Sequence, residues 1–235
     1  MKQFDVVTLF PELFGPFAKT GLLGKAIELG LVGLSTISLR AQGLGRWQRV
    51  DDSPYGGGAG MVLRPEPVYA AVRARQVEHA VMGQQARVVL LSPQGKRFDQ
   101  ARAREWALDA APLLFICGRY EGFDERIRQG LVDEEASLGD FVSLGGEVVA
   151  MVMIESVARL LPGVLGNPAS TEEESFAAGQ LEYPQYTRPE EFEGQRVPEV
   201  LLSGDHARIA QWRQDEALRR TKERRPDLLK NGKLH

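Results

Sequence analysis

Short apolar runs alternate with helical periodicity along the first two thirds of the chain. Phe4 to Leu9 is β-branched and apolar, and Pro11 closes it. This predicts a strand, a turn and a helix reaching Ile27. Leu31 to Leu39 predicts a second strand, and the glycine-rich stretch 40–60 predicts a loop. Pro67 to Ala80 reads as a helix. Arg87 to Leu91 reads as a short buried strand closed by Ser92-Pro93. Asp99 to Leu108 is helical, and Leu113 to Cys117 is another buried strand. Val142 to Ala150 is apolar, crosses Gly145-Gly146 and leads into a helix around Met151 to Leu161. Short apolar strands alternating with helices predict an α/β fold with a parallel sheet covered on both faces. Ligands of such sheets bind at loops on the carboxyl ends of strands. Here these are residues 92–95, 118–122 and 137–147.

The pattern changes after Leu161. The reading is an α/β domain over 1–161, a linker over 162–176 (PGVLGNPASTEEESF) and a smaller helical domain over 177–235. Ser203 to Arg225 is a helix candidate, with Ser203 or Asp205 as cap and Pro226 as stop. Residues 206–233 carry nine Lys/Arg against four Asp/Glu, a surplus of five positive charges.

Composition narrows the function classes. The 235 residues carry a net charge of −3, so any nucleic-acid site must be a local patch. One cysteine excludes an internal disulfide and fits a reducing compartment. His79, His206 and His235 are far apart, so no zinc-type spacing exists and no metal ligand set is assigned. The first residues lack the apolar stretch of a signal peptide, and no run suffices to span a bilayer, so a cytoplasmic location is expected.

Familiar catalytic patterns are missing: there is no nucleophile elbow, Walker-type phosphate loop or dinucleotide fingerprint after a strand. Cys117 ends an apolar run and reads as a buried small hydrophobe. Gly56, Gly57, Gly58 and Gly60 fit either a tight surface turn or a close approach of backbone to another surface. Gly145-Gly146 leaves the same choice between a bulge and a ligand lying against backbone. Glu172, Glu173 and Glu174 alone read as a solvated acidic run, and Arg159 as a helix-surface arginine.

The blocks DDSPYGGGAGM (51–61), LLSPQG (90–95), CGRYEGFDER (117–126), SLGDFV (137–142) and GGE (145–147) share an order and spacing with a known family. PGVLG (162–166), YTRPEEFEG (186–194) and VPEVLLSGDHARIAQWR (197–213) continue the match. Together they resemble the bacterial tRNA (guanine-N1)-methyltransferases. The resemblance implies a SPOUT-type sheet with a deep C-terminal trefoil knot, a small helical C-terminal domain that grips tRNA, and a homodimer with the active site between subunits. By position it implies that S-adenosylmethionine is held by Leu91, Ser92, Pro93 and Gln94, and by Gly118, Arg119, Tyr120, Glu121 and Gly122. It adds Ser137, Leu138, Gly139, Asp140, Val142, Leu144, Gly145, Gly146 and Val149. Arg159 matches the family's catalytic arginine at guanine O6, and Glu174 stands where the family carries an aspartate as general base before Ser-Phe. Asp52, Tyr55, Gly58, Glu182, Arg188, Ser203 and Arg208 are the implied substrate contacts. The implied substrate is tRNA with guanosine at positions 36 and 37, methylated at position 37, and family members also depend on Mg2+.

Three departures stand out. Glu174 replaces the aspartate, Val142 to Val149 reads VSLGGEVV where the family commonly has V-L-S-G-G-E-L-P, and Glu182 stands where an aspartate often precedes Y-T-R-P. The first two motivate one rival reading, an RNA-binding dimer that has lost activity. A second rival is a SPOUT enzyme acting on a different RNA base.

Overall fold

A computed structural model of the chain describes residues 1–167, 174–176 and 179–231. The chain divides into two compact units, Met1–Gly166 and Asn167–His235.

The first unit is built on five parallel strands: β1 (Lys2–Thr8), β2 (Val32–Ser38), β5 (Arg87–Arg97), β6 (Leu113–Cys117) and β7 (Glu134–Ser137), in the order β2-β1-β6-β5-β7. Strand residues alternate between two cores. Phe4, Val6, Val89, Leu91, Leu113 and Phe115 face one side, and Val7, Val88, Leu90, Leu114 and Ile116 face the other. Parallel strands buried on both faces need such unbroken apolar runs. Helix α4 (Gln100–Leu108) and helix α6 (Glu147–Ala158) cover the first side with Trp106, Met153, Ile154 and Val157. Helix α3 (Pro65–Val81) and helix α5 (Glu125–Leu131) cover the second with Val68, Ala71, Val72 and Ile127. The pairing of Asp5 with His79 (2.6 Å) and of Asp5 with Arg75 Nε (2.8 Å) ties α3 to the centre of β1.

Several elements differ from the sequence expectation. The first helix is a 3-10 turn (Pro11–Leu13), α1 (Phe14–Ala18) and α2 (Gly21–Glu28); Lys19 and Thr20 separate the helices, and Gly21 opens the second with φ +63. Strand β5 does not stop at Ser92-Pro93. It bulges between Leu91 and Lys96 and resumes pairing at Lys96↔Ala136 and Arg97↔Ser137. Gly95 permits this, since a Cβ there would stand 2.5 Å from the Ala136 nitrogen. Helix α6 starts at Glu147, earlier than expected. The 40–60 loop holds a strand, β3 (Asp51–Asp52), that pairs with β4 (Val62–Leu63).

The second unit has a short ribbon, β8 (Glu191–Phe192) and β9 (Gln195–Arg196), then α7 (Glu199–Leu202), α8 (His206–Arg224) and α9 (Pro226–Asn231). Asp205, not Ser203, caps α8, accepting from the Ala207 and Arg208 N–H groups at 3.1 Å each. Pro226 ends α8 and opens the next helix, a position where its missing N–H costs nothing.

Candidate active site

The carboxyl ends of β5, β6 and β7 open into one cavity of about 340 Å³, within the range of small-molecule sites. The three loops read from the sequence all line it, and of the residues assigned to the cofactor only Asp140 does not. The Phe141 N–H donates back to the Gly139 carbonyl at 2.9 Å, a tight turn that leaves Asp140 exposed. Phe123, Arg128, Ala136, Phe141 and Ser143 also line the cavity; none was assigned to the cofactor, although Phe123, Phe141 and Ser143 stand within the segments quoted from the sequence.

Glycines let the loops close on one another. A Cβ on Gly146 would stand 2.8 Å from Cys117 Cα, and one on Gly145 would collide with the Arg119 guanidinium. The Gly146 N–H donates to the Gly118 carbonyl at 3.0 Å. Neither alternative read from the sequence for Gly145-Gly146 describes these contacts: the chain's own backbone at Cys117-Gly118 and the Arg119 side chain occupy the room. Tyr120, between Arg119 and Glu121, has φ +60, a conformation costing about 1–3 kcal/mol that surrounding contacts must hold.

A network unnoticed in the sequence fixes these loops. Glu147 is buried (1% exposed) at the start of α6. Its Oε2 accepts from Arg119 Nε at 3.0 Å and Nη2 at 2.8 Å, and its Oε1 accepts from the Thr8 hydroxyl at 2.8 Å. Arg119 Nη1 donates to the Leu144 carbonyl at 3.2 Å, and its guanidinium lies 4.6 Å from the Phe10 ring centre. One carboxylate therefore joins the end of β1, the 118–122 loop and the 142–146 loop. The GGE block was the available signal, and the missing information was the distance along the chain, 139 residues from Thr8. Burial, and then Glu147, push the Cys117 thiol well above its ordinary range, which suits an inert core residue.

The Asp51–Gly60 excursion sits beside the cavity loop. The Leu63 N–H donates to Gly122 O at 2.9 Å and the Glu121 N–H to Met61 O at 3.0 Å. Gly56, Gly57, Gly58 and Gly60 all have positive φ, so the run makes a turn; Gly60 also makes a close approach, 2.5 Å from a built Cβ to Glu121 Oε1. Tyr55 is fully exposed, and Asp52 accepts from Arg64 Nη1 at 2.9 Å.

Arg159 is half-buried at the C-cap of α6 in the first unit. Glu174 belongs to the second unit, as do Glu182, Arg188, Ser203 and Arg208. The Ser175 hydroxyl accepts from the Glu182 N–H at 3.1 Å and the Phe176 N–H donates to Gln180 O at 2.7 Å, so the turn at Ser175-Phe176 is tied to residues 180–182 beside the two candidate carboxylates. Glu172 and Glu173 lie outside the described residues. Arg188 and Arg208 are exposed, while the Ser203 hydroxyl donates to Val200 O at 2.7 Å.

The sequence matches the tRNA (Guanine-1)-methyltransferase TrmD family over residues 1–231. The chain belongs to this family. It is 51% identical over 230 residues to the tRNA (guanine-N(1)-)-methyltransferase of Symbiobacterium thermophilum, covering 98% of this chain and 92% of that protein. Identity to the protein of the same name from Desulfitobacterium hafniense is 56% over 227 residues, 97% and 84% of the two chains. For Trichodesmium erythraeum it is 52% over 229 residues, 97% and 98%. Membership of the family gives the chain its activity, S-adenosylmethionine-dependent methylation of guanosine N1 in tRNA. Among the described residues no three His, Cys, Asp or Glu side chains group to hold a metal ion, and no helix is long and apolar enough to cross a membrane.

Proposed function

We propose that this chain transfers a methyl group from S-adenosylmethionine to N1 of guanosine 37 of tRNA, 3′ of the anticodon, as a cytoplasmic homodimer. The convergence of the three loops on one glycine-walled cavity, in a chain of this family, carries the reading. The cavity fits the donor: Leu91, Leu138, Leu144 and Val149 offer apolar surface, while exposed backbone and Ser92 and Gln94 offer polar partners. When bound, S-adenosylmethionine supplies an electrophilic methyl on a sulfonium, already a good leaving group.

The chain's own work is then position and charge. Guanine N1 carries a proton and its lone pair is delocalised, so a base must take the proton as the new bond forms. Glu174 is assigned that role. Negative charge growing on O6 calls for a fixed cation, the role of Arg159. N1 lies on the Watson–Crick edge, so the guanine must be unpaired or flipped, as an anticodon loop allows. Among the described residues no cluster of His, Cys, Asp or Glu fits Mg2+.

The passage of the chain from edge strand β7, through 138–146, back to α6 against Phe4, Val6 and Phe115 supports a knotted crossover. The basic helix α8 supports a tRNA-gripping C-terminal domain, recognising a folded RNA by shape and phosphate.

Calorimetry with S-adenosylmethionine, followed by mass-spectrometric mapping of the methyl on tRNA, tests the proposal. Binding with N1-methylguanosine at position 37 is the expected result. Absence of cofactor binding would favour an inactive RNA-binding dimer, and a methyl elsewhere would assign a different RNA base.

A further inference from the structure

The turn at Gly45–Gln48 carries an exposed tryptophan and is held more firmly than a solvated loop requires. The Leu44 and Arg49 N–H groups each donate to the other residue's carbonyl, at 2.9 and 3.0 Å, and the Gln48 N–H donates to Gly45 O at 3.1 Å. Gly45 and Gln48 both have positive φ (+68 and +49), and the packing of Gly43 against the Gln48 backbone leaves no room for a Cβ. Arg46 and Trp47 occupy the tip. The Arg46 guanidinium lies 4.4 Å from the indole centre, yet Trp47 remains 73% exposed.

The surrounding charge has one sign. Residues 40–50 hold Arg40, Arg46 and Arg49 and no acidic residue. Arg49 reaches Asp52 only at 3.7 Å, and among the described residues Arg40 and Arg46 have no ion pair. The turn is also continuous with the cavity rim. Val50, buried at its base, accepts from the Arg64 N–H at 2.9 Å, and the β3–β4 pair that follows is bonded to Glu121 and Gly122. A polyanion with flat, unpaired bases matches an indole backed by a guanidinium and flanked by arginines. Stacking on aromatic rings and arginine planes is how single-stranded RNA is commonly held.

We infer that Trp47, backed by Arg46, is a stacking platform for an unpaired nucleotide of the tRNA flanking the one delivered to the cavity. The inference rests on the reading of the chain as a tRNA-modifying enzyme. Its test is tRNA affinity by fluorescence anisotropy, across a salt series, for wild type, Trp47→Ala, Trp47→Phe and Arg46→Gln, with methylation and sedimentation measured on the same samples. Trp47→Ala is expected to weaken tRNA binding by about 5- to 100-fold with an unchanged salt slope. Trp47→Phe should recover most of that loss, and Arg46→Gln should flatten the slope by about 0.7. Because Trp47 is exposed, its melting temperature should not move, and titration with S-adenosylmethionine should match wild type. Full tRNA affinity in Trp47→Ala overturns the inference. So does weakened self-association without loss of tRNA affinity, which would make the turn a contact between copies of this chain. Failure of the enzymatic reading would show in the wild type as absent methylation, whereas failure of the platform shows only in the variants. A wild type that binds no tRNA overturns both.

Discussion

Glu174 and Glu147 show how much a single carboxylate depends on its setting. Glu174 stands where the family carries an aspartate, on a stem one methylene longer. Misplacement of about 1 Å can cost on the order of a hundredfold in rate, so the turn formed by Ser175, Gln180 and Glu182 matters as much as the carboxylate. Glu174→Gln keeps the shape and removes the base, and single-turnover methyl transfer should fall by about a hundredfold to ten-thousandfold. Glu174→Asp should keep measurable activity. Near-normal chemistry in Glu174→Gln with collapse in Glu182→Gln would move the role across the turn. Glu147 touches no solvent and serves three segments at once. Removing one partner of a fully buried ion pair costs about 3–5 kcal/mol, and Arg119 is part-exposed, so about 1–3 kcal/mol is expected for Glu147→Gln. Chemical denaturation reads that loss. A larger fractional loss in S-adenosylmethionine affinity should accompany it, because the 118–122 and 142–146 loops would no longer be tied. An unchanged cofactor affinity would reduce Glu147 to a fold-stabilising residue.

Helix α8 illustrates how local partners edit a charge count. The positive surplus of this segment includes Arg208, Arg213, Arg219, Arg220 and Lys222. In the structure Arg219 is held by Glu216 at 2.7 Å and Glu223 at 2.9 Å, and Arg213 lies 4.6 Å from the Tyr183 ring centre. Arg208 and Lys222 remain exposed. Replacing both with glutamine should flatten the slope of log affinity for tRNA against log salt by about 0.7 to 0.9 per true contact. Arg219→Gln should change it far less. Equal slopes for wild type and the double variant would return this helix to solvated surface.

At the scale of the molecule, the two catalytic candidates belong to different compact units, Arg159 to Met1–Gly166 and Glu174 to Asn167–His235. The shared-site homodimer proposed above requires one subunit to supply Arg159 and its partner to supply Glu174. Neither Arg159→Ala nor Glu174→Ala should then be active alone, while mixing the two should restore one working site per mixed dimer. Light scattering gives the oligomeric state of the same samples. A monomer, or mixtures with no recovered methylation, would end the shared-site proposal.

The sequence by itself determined the parts that depend on local pattern. Strands β1 and β6 follow from apolar runs, because burial on both sheet faces demands them, and edge strand β2 and helix α3 follow from local pattern with less burial. The cavity loops were legible because glycine marks places where no Cβ fits, as at Gly145 and Gly146. Only the tertiary structure decided the rest. Strand β7 reads EEAS, with no apolar signal, and is a strand because β5 pairs with it on both sides of a bulge. Helix α5 is polar and short, and buried Ile127 with part-buried Leu131 anchors it in the core. Helix α6 begins at Glu147 because Thr8 and Arg119 satisfy a carboxylate there, partners 139 and 28 residues away. The Trp47 turn is a site only through the hydrogen bonds that join its base to the cavity rim. Such features are pairings between distant segments, and no property of either segment alone encodes the pairing.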